Sequence, residues 1–270
     1  MPASNEFALR YGPAALVIGG SEGIGRAFAA ALARRGLDLV LVARRAAPLA
    51  QAADELRSAH GIAVTTYARD VTAPGIERFA AELCAAHDIG LVVCNAGATH
   101  GVGWFLDQPL DKALQLVRLN CLAPVTLAHV ALARRRGRGG GLIVVSSMSG
   151  LCGSGLVATY AAAKAFEITL CEGLHWELAR EGLDVLCAVA GLTDTPAMRA
   201  SGLSFEAAAA SGFTAMEPAA VADGALAQLG RVPVWYAVGE GPVTAMRALP
   251  RAQLTQSMSA ASAALYGARI

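Results

Sequence analysis

A tyrosine and a lysine, Tyr160 and Lys164, stand four residues apart in the run Tyr160-Ala-Ala-Ala-Lys164. On a helix this spacing places both side chains on one face, one turn apart. An ammonium near a phenol favours the phenolate and so lowers the pKa of the tyrosine. At about 5 Å and an effective dielectric constant of about 20, the attraction is about 3 kcal/mol, or about two pKa units. The pair therefore predicts a phenol that exchanges protons near neutral pH.

Lysine is rare in this chain, which makes its position informative. Of 22 basic residues, only Lys112 and Lys164 are lysines. A compact ammonium on a flexible stem suits proton chemistry better than the planar guanidinium of arginine. Taken alone, a Tyr–Lys pair at this spacing is usually an ordinary pair on a helix surface with no catalytic role. The surrounding pattern has to decide between the two interpretations.

A glycine-rich turn near the N-terminus is the second candidate site. The apolar run Ala14–Ile18 predicts a strand, and a helix is predicted to follow the turn as far as Gly36. The turn between them reads Gly19-Gly20-Ser21-Glu22-Gly23-Ile24-Gly25. Glycines let the backbone approach a pyrophosphate, and a helix N-terminus offers oriented N–H groups. The spacing is not Gly-x-Gly-x-x-Gly, but its place between strand and helix predicts a dinucleotide-binding turn.

Two arginines follow the second predicted strand, residues 37–42. An acid at this point would bond both adenosine ribose hydroxyls of NAD, whereas Arg44 and Arg45 suit a 2′-phosphate. The pattern favours NADP(H), with Arg44 as the main contact. The alternative is that both arginines merely begin the exposed helix predicted at 46–59.

The rest of the chain alternates predicted strands with predicted helices. Further strands are expected at 62–68, 89–94, 142–146, 183–189 and 232–238. Further helices are expected at 74–87, 107–136, 160–180, 217–229 and 242–266, the last broken at Pro250. This alternation predicts an α/β fold, a Rossmann-like doubly wound sheet of seven parallel strands with helices on both faces. We expect one domain over residues 1–270, with a mobile lid at about 193–216 and a C-terminal extension at about 240–270.

Small or polar residues follow most of these strands, where ligands of such sheets bind. They include Arg44, Asp70, Asn95, Ser147 and Thr195. The carboxyl ends of parallel strands meet at one edge of the sheet. The common location of these residues therefore strengthens the prediction that each of them belongs to one binding site. Asn120 lies inside the predicted helix 107–136, where asparagine competes for backbone hydrogen bonds.

Composition limits the other functional classes. The 270 residues are 55% apolar with a net charge of +1, which argues against a nucleic-acid or membrane-surface partner. The six cysteines have no metal-ligand spacing, so we expect buried thiols and no metal. Residues 139–163 carry no charge, but their glycine and serine content predicts no membrane span. The N-terminus shows no apolar signal core, so the expected location is the reducing cytoplasm.

The sequence resembles the short-chain dehydrogenase/reductase family over roughly residues 13–238. The motifs that carry the resemblance are Gly19-x-x-x-Gly23-Ile24-Gly25, Asn95-Ala96-Gly97, Asn120, Ser147, Tyr160-x-x-x-Lys164 and Gly191-Leu-Thr193-Asp-Thr195. Ser147 lies thirteen residues before Tyr160, the interval usual in that family. Within the family, the chain looks like the branch of 17β-hydroxysteroid dehydrogenases and very-long-chain 3-oxoacyl-CoA reductases.

The resemblance implies roles for these residues. Tyr160 would be the general acid in reduction and the base in oxidation, with Lys164 lowering its pKa and bonding the nicotinamide ribose. Ser147 would polarise the substrate oxygen, and Asn120 would hold a water behind Lys164. The implied catalytic residues are Asn120, Ser147, Tyr160 and Lys164. The implied NADP(H)-binding residues are Gly19, Ser21, Glu22, Gly23, Ile24, Gly25, Arg44, Arg45, Asp70, Val71, Asn95, Ala96, Gly97, Tyr160, Lys164, Gly191, Thr193 and Thr195.

Some positions depart from the family pattern. Ile18 stands where a threonine is usual. Ala190 stands where a proline is usual, and we expect this change to loosen the nicotinamide loop. The chain also lacks the Asp-Gly-Gly ending of many tetramers, so the resemblance implies a homodimer or a homotetramer without choosing between them.

The substrate implied is a small-molecule ketone or secondary alcohol of a lipophilic kind, a steroid or a 3-oxoacyl compound, and several apolar residues could surround a steroid or an acyl chain. These candidates are Leu203, Phe205, Phe213, Met216, Trp104 and Phe105. The alternative is that they only pack the lid. Two other functions stay open, a non-catalytic NADP-binding sensor or interaction module and an epimerase or dehydratase of the longer related type.

Overall fold

The structure, a computed structural model, describes residues 2–97, 102–210 and 212–267, with side chains from Glu6 onward. Ser211 of the predicted lid and residues 268–270 of the predicted extension lie outside the described residues. The strands are β1 (Ala14–Ile18), β2 (Asp38–Ala43), β3 (Val64–Ala68), β4 (Ile89–Cys94), β5 (Gly140–Ser147), β6 (Leu183–Ala190) and β7 (Val234–Tyr236).

These strands form one sheet in the order β3-β2-β1-β4-β5-β6-β7, and every neighbouring pair is parallel. The chain order reverses between β1 and β4, which opens a crevice at their carboxyl ends. All residues of β1 and β4 are buried, as expected for strands covered on both faces. The predicted doubly wound parallel sheet is confirmed.

Helices cover both faces. They are α1 (Pro2–Tyr11), α2 (Gly23–Ala33), α3 (Ala46–His60), α4 (Ile76–Ala86), α5 (Leu110–Val117), α6 (Ala123–Ala133), α7 (Ala158–Ala179), α8 (Pro196–Ala200), α9 (Phe205–Ala210), α10 (Pro218–Gln228), α11 (Glu240–Ala248) and α12 (Arg251–Tyr266). One apolar core contains Leu127 of α6 and Ile168 of α7. The other contains Phe28 of α2 and Val221 of α10.

The helical segment expected at 107–136 is present from Leu110 to Ala133, but it is not a regular α-helix throughout. A 3₁₀ turn (Phe105–Asp107) precedes α5, and a π-helical turn (Arg118–Leu122) separates α5 from α6. The side chain of Asn120 donates to the Leu116 carbonyl at 2.9 Å, the oxygen that its own backbone N–H would bond in an α-helix. This side-chain hydrogen bond explains why Asn120 lies in a π-helical turn.

Other boundaries also differ from the sequence prediction. Helix α1 was not predicted, because its anchor is distant in the sequence: the Tyr11 hydroxyl and the Arg10 guanidinium both donate to Asp184 at the start of β6, at 2.6 Å. The lid region contains the short helices α8 and α9, and β7 is shorter than the run expected at 232–238. The break at Pro250 between α11 and α12 is confirmed.

The uncharged stretch 139–163 forms β5, a 3₁₀ turn and the start of α7. Among the described residues, one helical run, Leu110–Ala133, is long and apolar enough to cross a bilayer. Because 56% of its most apolar window is buried inside the fold, it also fits a core helix, and it is weak evidence for a span.

Candidate functional site

A cavity of about 420 Å³ opens at the carboxyl edge of the sheet. The predicted site residues that line it are Gly19, Ser21, Glu22, Gly23, Ile24, Arg44, Arg45, Asp70, Val71, Asn95, Ala96, Gly97, Ser147, Tyr160, Lys164, Gly191, Thr193 and Thr195. The two remaining predicted residues, Gly25 and Asn120, are not among the lining residues. The sheet topology therefore brings together side chains that lie up to 176 positions apart in the sequence.

The glycine turn is packed too tightly for larger residues. Gly19 has φ +82°, and a Cβ added to Gly25 would lie 2.0 Å from the Gly19 carbonyl oxygen. The Asn95 amide also donates to that oxygen, at 3.5 Å. The turn is thus fixed against the end of β4, with its backbone exposed at the start of α2. This cradle fits a pyrophosphate.

The two arginines after β2 have different environments. Arg45 forms an ion pair with Glu22 of the glycine turn, although its side chain is 62% exposed. Arg44 is exposed where it lines the cavity. Of the two guanidiniums, only the charge of Arg45 is matched by a neighbouring carboxylate within the described residues.

The region after β3 adds an arginine that the sequence analysis missed. Arg69 lines the cavity and lies over the Phe79 ring, 4.8 Å from its centroid. Its neighbour Asp70 accepts hydrogen bonds at one carboxylate oxygen from the backbone and hydroxyl of Thr72, at 2.8 and 2.7 Å. A basic residue directly after a strand was the available signal, since the same reasoning selected Arg44.

Tyr160 and Lys164 lie on the first turns of α7, as predicted. The Lys164 ammonium is 5.8 Å from the centroid of the Tyr160 ring. Its nitrogen donates to the Val145 carbonyl of β5 at 3.0 Å and to both carboxylate oxygens of Glu167 at 3.0 Å. The lowered tyrosine pKa stays a prediction.

Glu167 is the main charged group that the sequence analysis missed. Its residue is 2% exposed, and that of Lys164 is 4% exposed. Burial alone would lower the pKa of Lys164, but Glu167 raises it, and the pKa lies above its ordinary value of 10.5. Burial raises the pKa of Glu167 to about 6 against the opposing effect of Lys164. The spacing i, i+3 on a helix was the signal that could have found the pair.

Asn120 lies behind the cavity wall, close to Lys164. Its side-chain oxygen is buried without a hydrogen-bond partner among the described residues. That oxygen and the Lys164 nitrogen lie 3.0 and 3.1 Å from the point that a Cβ on Gly97 would occupy. An orphaned acceptor beside an ammonium fits a bound water.

Three hydroxyls of the predicted site make local bonds. Ser147 accepts from the Ser149 backbone at 3.2 Å, and Thr195 accepts from Met198 at 3.1 Å as the N-cap of α8. Thr193 donates to the Gly191 carbonyl at 3.1 Å. A hydroxyl that accepts one bond can still donate another, so Ser147 and Thr195 retain a donor for a ligand.

The apolar residues considered for a substrate pocket lie elsewhere. Within the described residues, the six side chains do not belong to the lining of the 420 Å³ cavity. Leu203 is buried, whereas Trp104, Phe105 and Phe213 are exposed. The cavity is thus lined by the residues predicted to bind a nucleotide and not by these six side chains.

Comparison with known proteins places these features in a family. The family model described as short chain dehydrogenase matches residues 13–204. The chain is 31% identical over 183 residues to a very-long-chain 3-oxoacyl-CoA reductase of Coprinopsis cinerea, covering 66% of this chain and 54% of that protein. It is 31% identical over 191 residues to a 7beta-hydroxysteroid dehydrogenase of Clostridium sardiniense, covering 70% and 73%. The chain thus spans about half the length of the reductase.

Solved structures agree. A structure from work on 7beta-hydroxysteroid dehydrogenase stereoselectivity superposes with a TM-score of 0.85 at 26% identity, covering 93% of this chain and 98% of that one. A short-chain dehydrogenase from Sphingobium yanoikuyae in complex with NADPH superposes with a TM-score of 0.75 at 29% identity, covering 89% and 98%.

Proposed function

Because the chain belongs to the short-chain dehydrogenase/reductase family, we propose that it is an NADP-dependent oxidoreductase that interconverts a ketone and a secondary alcohol. The observation that carries the proposal is that Ser147, Tyr160 and Lys164 line the same cavity as the glycine turn and Arg44. The proposed proton donor and the nucleotide cradle share one cavity, as reduction of a carbonyl requires.

The reaction divides between the cofactor and four side chains. When bound, a nicotinamide dinucleotide supplies or accepts the hydride at the substrate carbon. Tyr160 gives a proton to the carbonyl oxygen in reduction and takes one from the hydroxyl in oxidation. Ser147 orients that oxygen by donating a hydrogen bond. Lys164 stabilises the phenolate, and the orphaned Asn120 oxygen holds a water that connects Lys164 to solvent.

Different cavity residues would bind different parts of the cofactor. The glycine turn would hold the pyrophosphate, and Arg44 would hold the 2′-phosphate. Asp70 and Val71 would contact the adenine, with residues 95–97 beside the adenosine. Gly191, Thr193 and Thr195 would contact the carboxamide, and Lys164 the nicotinamide ribose. The NADPH complex of the Sphingobium structure supports this cofactor.

The substrate proposed is lipophilic, of the steroid or 3-oxoacyl type. Both classes appear in the names of the relatives, the reductase and the 7beta-hydroxysteroid dehydrogenase. Exposed aromatic and aliphatic side chains at 104–106 and at Phe213 are available to cover such a substrate.

The test is oxidation of NADPH with a panel of steroids, 3-oxoacyl thioesters and small ketones, followed by Tyr160→Phe. Removing the phenolic proton should lower kcat by about a thousandfold while NADPH still binds, because the cradle is unchanged. Binding is measured by NADPH fluorescence. Full activity in Tyr160→Phe would show the mechanism wrong, and NADPH binding without turnover of any substrate would favour a non-catalytic sensor.

We also propose that the protein forms a homodimer in the cytoplasm. Support for a dimer is an apolar surface formed by Leu114, Leu122 and Val125 on the α5–α6 segment with Phe166 and Trp176 on α7, all exposed. All six cysteines are free thiols, which fits a reducing compartment.

A further inference from the structure

The side chain of Glu167 is held against the ammonium on which the proposed mechanism depends. Both its oxygens lie 3.0 Å from the Lys164 nitrogen, and the Val145 carbonyl lies 3.0 Å from it on another side. An ammonium has three hydrogens; the two oxygens of one carboxylate can share one of them and the Val145 carbonyl accepts another, which leaves one hydrogen for the proposed ribose contact. The position of Lys164 is therefore set by β5 and by its own helix before any ligand binds.

No second carboxylate lies beside Lys164 among the described residues. The titratable groups nearby are Tyr160 and the thiols of Cys94, Cys121, Cys171 and Cys187. Burial raises the pKa of Cys94 to about 12 and also raises that of Cys121. A hydrogen bond with Cys187, together with burial, raises the pKa of Cys171. These three thiols are neutral at physiological pH.

The other polar neighbour is a neutral hydroxyl. Ser146 of β5 donates to the Lys164 backbone carbonyl at 2.8 Å and also contacts the Glu167 carboxylate. It stabilises the carboxylate without adding charge. Because an isolated buried ammonium tends to lose its proton, the charge of Lys164 depends on Glu167.

Resting on the proposed function, we propose that Glu167 is a positioning residue for the reaction, which keeps the Lys164 ammonium charged and fixed at the floor of the cavity. Two consequences follow. Without the carboxylate, Lys164 should lose its proton more easily. When the carboxylate is protonated, it should hold the ammonium less firmly, and activity should fall.

The first test measures Lys164 directly and needs no substrate. Since Lys112 and Lys164 are the only lysines, a Lys112→Arg background leaves one, whose side-chain nitrogen can be labelled with ¹⁵N and titrated by NMR. We expect the pKa of Lys164 to lie above 10.5 with Glu167 present and below 10.5 in Glu167→Gln. The matched control is Glu177→Gln, which removes an exposed carboxylate from the same helix.

The second test follows kcat against pH for NADPH-dependent reduction. In the unmodified protein kcat should fall as pH drops through about 6, because Glu167 takes up a proton there. Glu167→Gln should lack this acid limb and show a kcat about tenfold lower at pH 7, with a smaller change in KM for NADPH. Glu167→Asp, which keeps the charge on a shorter stem, should recover part of kcat.

The outcomes separate this inference from the proposed function. An unchanged Lys164 pKa in Glu167→Gln, or kinetics equal to those of Glu177→Gln, would refute the positioning role. If neither Gln nor Asp at 167 gives a folded protein by NMR, Glu167 is only structural and the proposal is wrong. If the Lys164 pKa responds but the unmodified protein reduces no ketone, its charge depends on Glu167 and the proposed function fails.

Discussion

At the scale of single residues, the charge partners of the basic side chains matter more than their number. The prediction from the sequence considered only the Lys164 ammonium and the Tyr160 phenol. In the structure, Glu167 forms an ion pair with Lys164 at 3.0 Å. An anion at this distance offsets part of the ammonium's field at Tyr160. The proposed proton transfer at Tyr160 therefore involves the charges of both Lys164 and Glu167.

The same distinction separates the two arginines proposed for the 2′-phosphate. Arg45 already pairs with Glu22, while Arg44 lies exposed at the cavity. We expect Arg44→Gln to raise the Kd for NADPH by about tenfold or more, the value of a hydrogen bond to a charged group, and to change the Kd for NADH much less.

The matched control is Arg45→Gln. It should raise the Kd for NADPH by a smaller factor, because Glu22 already neutralises the charge of Arg45. Both constants are measured by fluorescence titration at one fixed salt concentration, since phosphate contacts are screened by salt. An equal loss in both variants, or a preference of the unmodified protein for NADH, would contradict the assignment to Arg44.

At the scale of elements, the C-terminal helix α12 supports the loop that joins Ser147 to Tyr160. The Gly155 backbone donates to the Ser259 hydroxyl at 2.8 Å, and Ser154 bonds Ser262 at 2.9 Å and the Met258 carbonyl at 3.2 Å. The Ser204 backbone of the lid donates to Leu265 at 3.0 Å. Helix α12 thus ties the loop between Ser147 and Tyr160 and the segment that begins at Ser204 to one helix.

Removing one of these bonds should have a measurable cost. Ser259→Ala leaves the Gly155 N–H without its acceptor in a partly buried position, and we expect it to lower the free energy of unfolding by about 1 kcal/mol. Chemical denaturation gives the value. Ser257→Ala, an exposed serine on the same helix, is the control and should change stability little; equal effects of the two substitutions would mean that the bond contributes nothing.

At the scale of the whole molecule, parallel strand order assembles the site and leaves an apolar surface on α5, α6 and α7. Leu122 is 57% exposed and Trp176 is 80% exposed. Several exposed apolar residues on neighbouring helices are typical of subunit interfaces.

A charge on that surface should separate the proposed dimer. We expect the unmodified protein to sediment as a dimer and Leu122→Asp to sediment as a monomer, because the interface would bury an unpaired carboxylate. Leu9→Asp adds the same charge to α1, where Leu9 is 79% exposed, and should leave the dimer intact. A monomer in the unmodified protein would refute the proposed dimer.

Local patterns in the sequence were sufficient to predict the sheet, the glycine turn and the placement of Tyr160 and Lys164 on one helix. Strand and helix periodicity, glycine spacing and the i, i+4 interval are properties of neighbouring residues, so they can be read without a fold. The parallel order then followed, because strands joined by helices pair in parallel.

Only the tertiary structure decided which charges are matched and which polar groups are buried. The pairing of Glu22 with Arg45, the contribution of Arg69 to the cavity and the orphaned oxygen of Asn120 each depend on side chains brought from other strands. Even Glu167, three residues from Lys164, gains its meaning from burial against β5, because a carboxylate exposed to water would hold a lysine only weakly.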